Sequence, residues 1–558
     1  MALDSSGDIQ EKRIILLYIL LALLVYLISW TVPIIEIDAA QYANISREML
    51  HNRSFLELYD RGQDYLDKPP MLFWLSSLSM YIFGIHGAAY RFPSFLFSLL
   101  AIYSTFKLAN LYYKEKIALL SALVLATTQA MFLINHDVRT DTMLMGWVIF
   151  AIWQLAAWYK FNKWKNLVLA SIGIAGGMLT KGPIALMVPV FAFAPHFFLQ
   201  RSFRQFFRWQ YLIMILIIGI MLIPMSIGLY RQFDLHPEKI VYGRSGNSGL
   251  RFFFWTQSFG RITGESTWSE NGNFLFLFQN LLWGFLPWTI FFVAALIDEV
   301  IHIFRKRFYI SRNEEWISSG GFFLTYCALG MSRYQLPHYI YVVLPLAAIL
   351  TGKWIYKLLY TPDLLTWRKP IFVIHAIVFS FIMMALFCLL YFPFPPQKVW
   401  ILIAFFLFVM AALSLLLRKK TVLPPLIAMS LMAILITNLF LDIGFYPPLM
   451  QYQSGVSLSG LITKKEWDKN RIYIYKINED RTLHFYSDHF FPHVNNPDSL
   501  RKGDYIITSG LWSDSLKQSQ YVVIDSVQDF HVSTLSLPFL NPARRQKEIT
   551  ILFVLKRQ

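Results

Sequence analysis

Several short segments concentrate acids and cations beside long apolar runs. Glu36-Ile-Asp38-Ala-Ala-Gln-Tyr42 lies just past the first such run, and His136-Asp137-Val-Arg139-Thr-Asp141 sets two carboxylates around an arginine. Lys68 lies in Tyr65-Leu-Asp67-Lys68-Pro69-Pro70, and Lys181 in Thr180-Lys181-Gly182-Pro183. Arg333, His338 and Tyr339 share one stretch, and Arg261 follows a later apolar run. A charge at a membrane boundary is costly and is kept for a reason. Carboxylates beside cations on one membrane face suit group transfer from a lipid phosphate. The cations stabilise the leaving phosphate as charge develops on it, and a positioned carboxylate takes a proton from an acceptor hydroxyl. Each residue also has a plain structural reading: Arg139 as a partner of Asp137 or Asp141, and Lys181 as a helix-end cation reaching for water.

What must position these residues is a membrane domain. The 558 residues are 56% hydrophobic and 15% charged, with a mean hydropathy of +0.46, where a soluble chain carries about a quarter charged residues. Apolar runs of roughly 18 residues or more, enough to cross a bilayer, replace the missing charge. The formal net charge of +16 is spread in short clusters between those runs, which argues against nucleic-acid binding and fits the inner ends of membrane helices. Cys327 and Cys388 both lie inside apolar runs and imply neither a disulfide framework nor a metal centre. Lys12 and Arg13 precede a long apolar stretch without a small-residue cleavage site, which reads as an uncleaved first helix.

Thirteen candidate spans fall near residues 13–32, 91–109, 117–134, 142–159, 166–180, 183–199, 210–230, 275–300, 316–331, 337–356, 370–392, 398–417 and 422–441. The short run 71–85 begins directly after Pro69-Pro70 and reads as a helix lying along the interface. With the N-terminus inside, the inner connections hold Lys114/Lys116, Lys160/Lys163/Lys165, Arg201/Arg204/Arg208, Arg305/Lys306/Arg307/Arg312, Lys353/Lys357/Arg368/Lys369 and Arg418/Lys419/Lys420. The short outer connections hold only Arg139, Lys181, Arg333 and Lys398. Such a bias sets orientation. A membrane domain over 1–445 then carries outer loops at 33–90 and 231–274. Residues 446–558 change character: the runs 471–477, 504–508, 521–525 and 550–555 are short, β-branched or aromatic, and bounded by turn residues. The expected fold is an all-α polytopic membrane protein of about 13 transmembrane helices with a small C-terminal soluble α/β domain. The glycine-rich stretch Gly243 to Gly249 reads as a loop rather than an anion cradle. The absence of a P-loop, a G-x-G-x-x-G and an Asp-x-Asp argues against nucleotide hydrolysis at a standard site.

At these residues the chain resembles the GT-C glycosyltransferases, most nearly the branch holding the aminoarabinose transferases of lipid A, with protein O-mannosyltransferases as more distant relatives. The resemblance starts with Asp38-Ala-Ala-Gln-Tyr42-Ala-Asn-Ile-Ser46-Arg47-Glu48-Met-Leu50 and the Lys68-Pro69-Pro70 motif. It continues through Arg91-Phe-Pro93-Ser94, Asp141, Gly177-Met-Leu-Thr180-Lys181-Gly182, Arg261, Leu286-Pro287-Trp288 and Leu336-Pro337-His338-Tyr339. It covers nearly the whole membrane region and, in the terminal domain, is one of placement only. It implies an inverting transferase in a bacterial inner membrane, using a polyprenyl-phosphate sugar on the periplasmic side, with a cytoplasmic N-terminus and a periplasmic C-terminal domain. By resemblance Asp38 is the main catalytic carboxylate and Asp141 assists it. Lys68, Arg261 and Tyr339 contact the lipid phosphate, with Lys181 as a further contact. Tyr42, Arg139, Asp137, His338 and Arg333 are the remaining site candidates.

The branch often has an acid where Ala39 stands, Arg where Gln41 stands and Lys where Gln335 stands. The sugar therefore stays open, and so does the acceptor: lipid A, protein hydroxyls or another envelope glycan. No cofactor is required; a divalent metal near Asp67 and Asp442 is implied only by resemblance, and two carboxylates alone make a poor site. The rival classes are a transporter or flippase of lipid-linked sugars, which predicts charges in mid-span and two similar halves, and a membrane scaffold, which leaves the one-sided charge cluster without a purpose.

Overall fold

In lipid a backbone has to satisfy its own polar groups, so the apolar runs fold as helices. The computed structural model describes residues 5–558 apart from 242, 244, 259, 261–262, 264, 266–272, 395–398, 417–422 and 518–519. Ser5–Ile28 forms α1. Asp38–Asn52 (α2) and Met71–Phe83 (α3) flank a two-stranded hairpin of Tyr59–Asp60 (β1) and Gln63–Asp64 (β2). Then follow Gly87–Tyr112 (α4), Glu115–Ala126 (α5), Gln129–His136 (α6), Thr140–Phe161 (α7), Trp164–Lys181 (α8), Ile184–Leu199 (α9) and Gln210–Leu229 (α10). The later helices of the bundle are Phe276–Gly284, Thr289–Arg305, Ile317–Gly330, Leu344–Tyr360, Leu365–Tyr391, Val399–Leu416 and Pro425–Phe440.

Thirteen spans are not all of one kind here. Among the described residues, seven helices are long and apolar enough to cross a membrane, or eight if the bent pair α5–α6 counts as one span. That pair bends by 51° at Thr127 and Thr128, whose hydroxyls donate back to the carbonyls of Leu123 and Leu125. The run expected at 275–300 breaks between Gly284 and Thr289, around Pro287, a residue a helix interior does not tolerate. Three further apolar helices, Ile184–Leu199, Ile317–Gly330 and Val399–Ser414, are shorter. Helix α3 has 13 residues, about 20 Å of rise and too short to span. It buries Leu72, Phe73 and Met80 and leaves Leu78, Tyr81, Ile82 and Phe83 exposed. Of the basic residues on which the expected orientation rests, Lys398, Arg418, Lys419 and Lys420 lie outside the described residues.

Two contacts fix the helix ends that matter below. Gly176 of α8 faces Trp147 of α7, where a Cβ would lie 2.5 Å from the indole; this close approach of the two helices sets the end of α8 against the start of α7. Arg91, near the start of α4 and 1% exposed, donates to the carbonyls of Val32 (2.9 Å), Pro33 (3.1 Å) and His136 (3.1 Å). It thereby ties the segment leading into Asp38 to the end of α6, next to Asp137.

The opposite end of the bundle is closed by ion pairs, Lys116–Glu11 at 2.7 Å, Lys357–Asp298 at 3.0 Å, and Lys12–Glu115 and Lys353–Glu299. At the C-terminus lies a small sheet domain. Strands Ile472–Ile474 (β3), Tyr505–Ser509 (β4), Tyr521–Asp529 (β5) and Thr550–Arg557 (β6) pair in the order β3-β4-β6-β5, with β3 parallel to β4 and the other pairs antiparallel. Alternation divides the side chains between two faces. Ile472, Ile474, Ile507, Leu552 and Val554 pack on Leu458 and Ile462 of the helix Ser454–Lys464, while Ile506 and Leu555 pack on the other side with Leu516.

Candidate active site

Helix ends supply most of the charged groups. Asp38 opens α2 and Asp141 lies in the first turn of α7, where unpaired N–H groups and the helix dipole favour a carboxylate. Lys181 closes α8, the end that favours a cation. Gly182 follows at φ +90°, a conformation glycine adopts without cost, and the chain turns at once into α9. His338 and Tyr339 open the 3-10 stretch Pro337–Val343 behind its N-terminal proline.

These ends meet as two charge clusters. In the first, Arg139 bridges Asp38 and Asp137, with its Nη1 on Asp38 Oδ2 and its Nε 2.8 Å from Asp137 Oδ2. Burial pushes the Asp137 carboxyl up, against the pull of Arg139. Burial alone would lower the Arg139 guanidinium, but Asp137 and Asp38 outweigh it and hold it above its ordinary value. In the second cluster Lys181 Nζ donates to Asp141 Oδ1 and lies 3.9 Å from the Tyr339 ring centre. His338 Nε2 is 3.7 Å from Asp141 Oδ2, and Lys68 Nζ is 2.6 Å from Asp67 Oδ2. The Asp141 side chain is 2% exposed while that of Asp38 is 33% exposed. Asp38 can touch a ligand; Asp141 reaches one only through Lys181 or His338.

A polar cavity of about 320 Å³ is lined by Asp38, Gln41, Tyr42, Lys68, His338 and Arg481, among others. A smaller groove of about 90 Å³ runs from it between apolar side chains, Leu144, Ile184, Met187, Leu329 and Val342. Lys68, Lys181 and Tyr339 line both. Two cations and a phenol therefore stand where an apolar channel meets a polar chamber. An anion with an apolar tail on one side and a polar group on the other fits that junction.

Not every candidate joins the cavity. Asp137 backs Arg139, Tyr42 forms part of the wall at 4% exposure, and Arg333 is exposed and lines neither space. Arg261 lies outside the described residues. Asp67 is paired with Lys68, whereas Asp442 is buried at the end of the last bundle helix. Two carboxylates, one of them engaged by a lysine, make a poor divalent site, and among the described residues no group of three or more His, Cys, Asp or Glu is placed to hold a metal. In the glycine-rich loop the backbone N–H groups of Gly249 and Leu250 and the Ser248 hydroxyl donate to Asp234, an anion from the chain itself.

Arg481 is the charged residue lining this cavity that the sequence did not suggest. It comes from the C-terminal domain, in a stretch with no adjacent apolar run to mark it. Its N–H donates to Glu36 (2.8 Å) and its carbonyl accepts from Asn44 (2.7 Å). Around it the domain is strapped to the first loop. Gln453 accepts from Glu36 N and donates to Ile34 O, Tyr486 Oη accepts from Ile34 N, and Arg47 meets Asp488. Burial and the adjacent Asp480 push Glu36 up to about 10 despite Arg481.

Glu479 is the hinge of this strap. Its carboxylate meets Arg61 of the first loop at 2.7 Å, His493 at 2.9 Å and His484 at 3.1 Å. Burial would raise it, but the hydrogen bond from His484 and the surrounding cations bring it down to about 2. A depressed carboxylate contributes stability that is present above its unfolded value and is lost as pH falls through the folded one. The contact between domain and loop is therefore expected to weaken between pH 4.5 and 2. Limited proteolysis across that range should show the release in the unaltered chain, and Glu479→Gln should reduce the pH dependence, leaving the part carried by Asp488 with Arg47 and His51.

With this geometry in place, comparison with known proteins gives a consistent result. A family model described as dolichyl-phosphate-mannose-protein mannosyltransferase matches residues 67–227. An undecaprenyl phosphate-alpha-4-amino-4-deoxy-L-arabinose arabinosyl transferase of Erwinia tasmaniensis is 27% identical over 293 residues, 51% of this chain and 50% of that protein. A protein of the same description from Enterobacter sp. is 26% identical over 349 residues, 60% of this chain and 58% of the relative. The chain thus spans about half the length of the curated relatives it matches. The crystal structure of ArnT from Cupriavidus metallidurans bound to undecaprenyl phosphate superposes with a TM-score of 0.70 at 17% identity, covering 99% of this chain and 98% of that one; the apo form gives 0.69. The fold is shared over the full length, and the resemblance to GT-C glycosyltransferases of the aminoarabinose-transferase type extends well beyond single motifs.

Proposed function

We propose that this chain is an inverting GT-C glycosyltransferase that moves a sugar from a polyprenyl phosphate to an acceptor in the bacterial envelope, lipid A first among them. The observation that carries this reading is the junction itself: Lys68, Lys181 and Tyr339 stand between an apolar groove and a polar cavity containing Asp38. The groove takes the start of the polyprenyl tail, the two ammonium groups take the phosphate, and the sugar enters the cavity. The names of the relatives support a donor of that kind.

The reaction is a single in-line displacement. An acceptor oxygen attacks the anomeric carbon and forms the new glycosidic bond as the bond to the phosphate oxygen breaks. The electron pair leaves on the polyprenyl phosphate, where Lys68 and Lys181 stabilise it. Asp38 orients the acceptor and, where that is a hydroxyl, takes its proton. Arg139, anchored by Asp137, holds Asp38 in place, and Asp141 positions Lys181. Arg261 joins the phosphate contacts by resemblance. No step is assigned to a metal.

The same reading takes residues 1–445 as the membrane domain, with all thirteen helical stretches crossing, and 446–558 as a domain on the outer side. The N-terminus is then cytoplasmic, and the Asp38 cavity opens to the periplasm of an inner membrane. Membranes supplied with defined polyprenyl-phosphate sugars should release polyprenyl phosphate in step with a labelled product of inverted configuration. Release from no donor of this type would overturn the proposal. The matched mannosyltransferase model favours one alternative, transfer to protein hydroxyls. Mass spectrometry of lipid A and of periplasmic proteins from a deletion strain separates the two acceptors.

A further inference from the structure

The largest cavity described lies far from Asp38. It measures about 580 Å³ and is lined by Lys160, His196, Gln200, Gln205 and Arg312 over the rings of Tyr112, Tyr159 and Phe197. Helix α7, which runs from Thr140 to Phe161, starts beside the Asp38 cavity and delivers Tyr159 and Lys160 to this one near its far end, roughly 30 Å away along the helix. The two cavities therefore stand at opposite ends of the bundle, one membrane thickness apart.

Two features separate this cavity from an ordinary basic helix end. The first is charge. A neighbouring cavity on the same face, lined by Lys12, Lys114 and Lys116 with Glu11 and Glu115, has two of its three lysines paired from within, Lys12–Glu115 and Lys116–Glu11. The Lys160 cavity has no carboxylate in its lining. Among the described residues, Lys160 meets only the Leu111 carbonyl and the face of Tyr112, and Arg312 has no ion pair. The nearby acids are already engaged, Glu314 with Lys306 and Glu315 with the Tyr113 hydroxyl. The second feature is position. Ser202 and Gln205 in the wall belong to a segment whose Phe203, Phe206, Phe207 and Trp209 are exposed, Phe207 by 87%. On a membrane protein such a collar sits at headgroup level.

We propose that this cavity binds the phosphate headgroup of an anionic phospholipid in the leaflet opposite the Asp38 cavity. Lys160 and Arg312 meet the phosphate, Gln200 and Gln205 stand beside its glycerol, and the acyl chains leave over the aromatic collar. A basic pocket between membrane helices at headgroup depth takes this class of ligand, and an arginine with both faces of its fork unpaired suits a phosphate in particular.

The full-length protein, purified in a neutral detergent, would be titrated with cardiolipin, phosphatidylglycerol or phosphatidylcholine and its retained lipid counted by native mass spectrometry. The two anionic lipids should be retained over phosphatidylcholine. The double variant Lys160→Gln/Arg312→Gln should weaken that retention by about tenfold or more, and Arg312→Lys should keep most of it. Both residues are exposed, and unchanged thermal unfolding of the variants would show that the fold is intact. A parallel arm with inorganic phosphate and glycerol phosphate distinguishes the sources: displacement of lipid by either soluble anion at low concentration would overturn the lipid assignment. Equal retention of anionic and zwitterionic lipid, or retention unaltered in the double variant, would overturn the site.

Discussion

Asp38→Asn is expected to lower turnover by about two to four orders of magnitude with a hydroxyl acceptor, while the donor KM changes little. The substitution keeps the shape of the side chain and an oxygen facing Arg139, so the wall of the cavity stays in place. Arg139 also keeps Asp137 at 2.8 Å, which prevents the guanidinium from being left without a partner. What is lost is the ability to accept a proton. The size of the loss then reports on the acceptor: an anionic phosphate needs no base, and with such an acceptor the loss shrinks to that of mispositioning. Steady-state kinetics with one defined donor and each acceptor class makes the comparison. Full activity of the variant with every acceptor would remove Asp38 from the mechanism.

The second large effect concerns Lys181 and Asp141. Lys181→Met strands the Asp141 carboxylate, 2% exposed, with His338 at 3.7 Å and the more distant Lys68 left to answer it. Removing one partner of a buried pair costs about 3–5 kcal/mol. The expected outcome is a lower midpoint of thermal unfolding in detergent together with loss of turnover. Adding Asp141→Asn removes the stranded charge, so the double variant should regain most of the stability and none of the turnover. That split separates the two roles of the lysine, as a structural partner and as a phosphate contact. Recovery of turnover in the double variant would show that Lys181 serves the fold alone.

The sequence carried more of the site than of the membrane topology. Lys68, Lys181, His338, Tyr339 and Asp38 could be picked out because a charge or a polar ring at the edge of an apolar run is costly, and the structure brings all five to one cavity. The same rule could not distinguish Asp38 from Asp141, since both open helices; only burial does, leaving one in contact with the cavity and the other behind a lysine. Arg333 met the rule as well and stands apart, because an exposed arginine at a helix end is also ordinary. Arg481 was invisible for the opposite reason: it lies in the C-terminal sheet domain, away from any apolar run that would make an arginine costly. The span count shows the limit of hydropathy. An apolar run says that a segment is buried in lipid or protein, but not whether it is straight, and the breaks at Thr127–Thr128 and Pro287 depend on hydroxyls and a ring that barely alter the mean. The four strands of the terminal domain were legible because turn residues bound each of them.

The strap around Arg481 carries a consequence for how the protein is made. The cavity wall is completed by a residue near position 480, synthesised after every membrane helix has been threaded into the bilayer. Until the stretch around Arg481 has folded onto the first loop, the chamber beside Asp38 lacks one side. On the proposed function, a chain stopped before this stretch holds its lysines and its carboxylate without a closed vessel in which to use them.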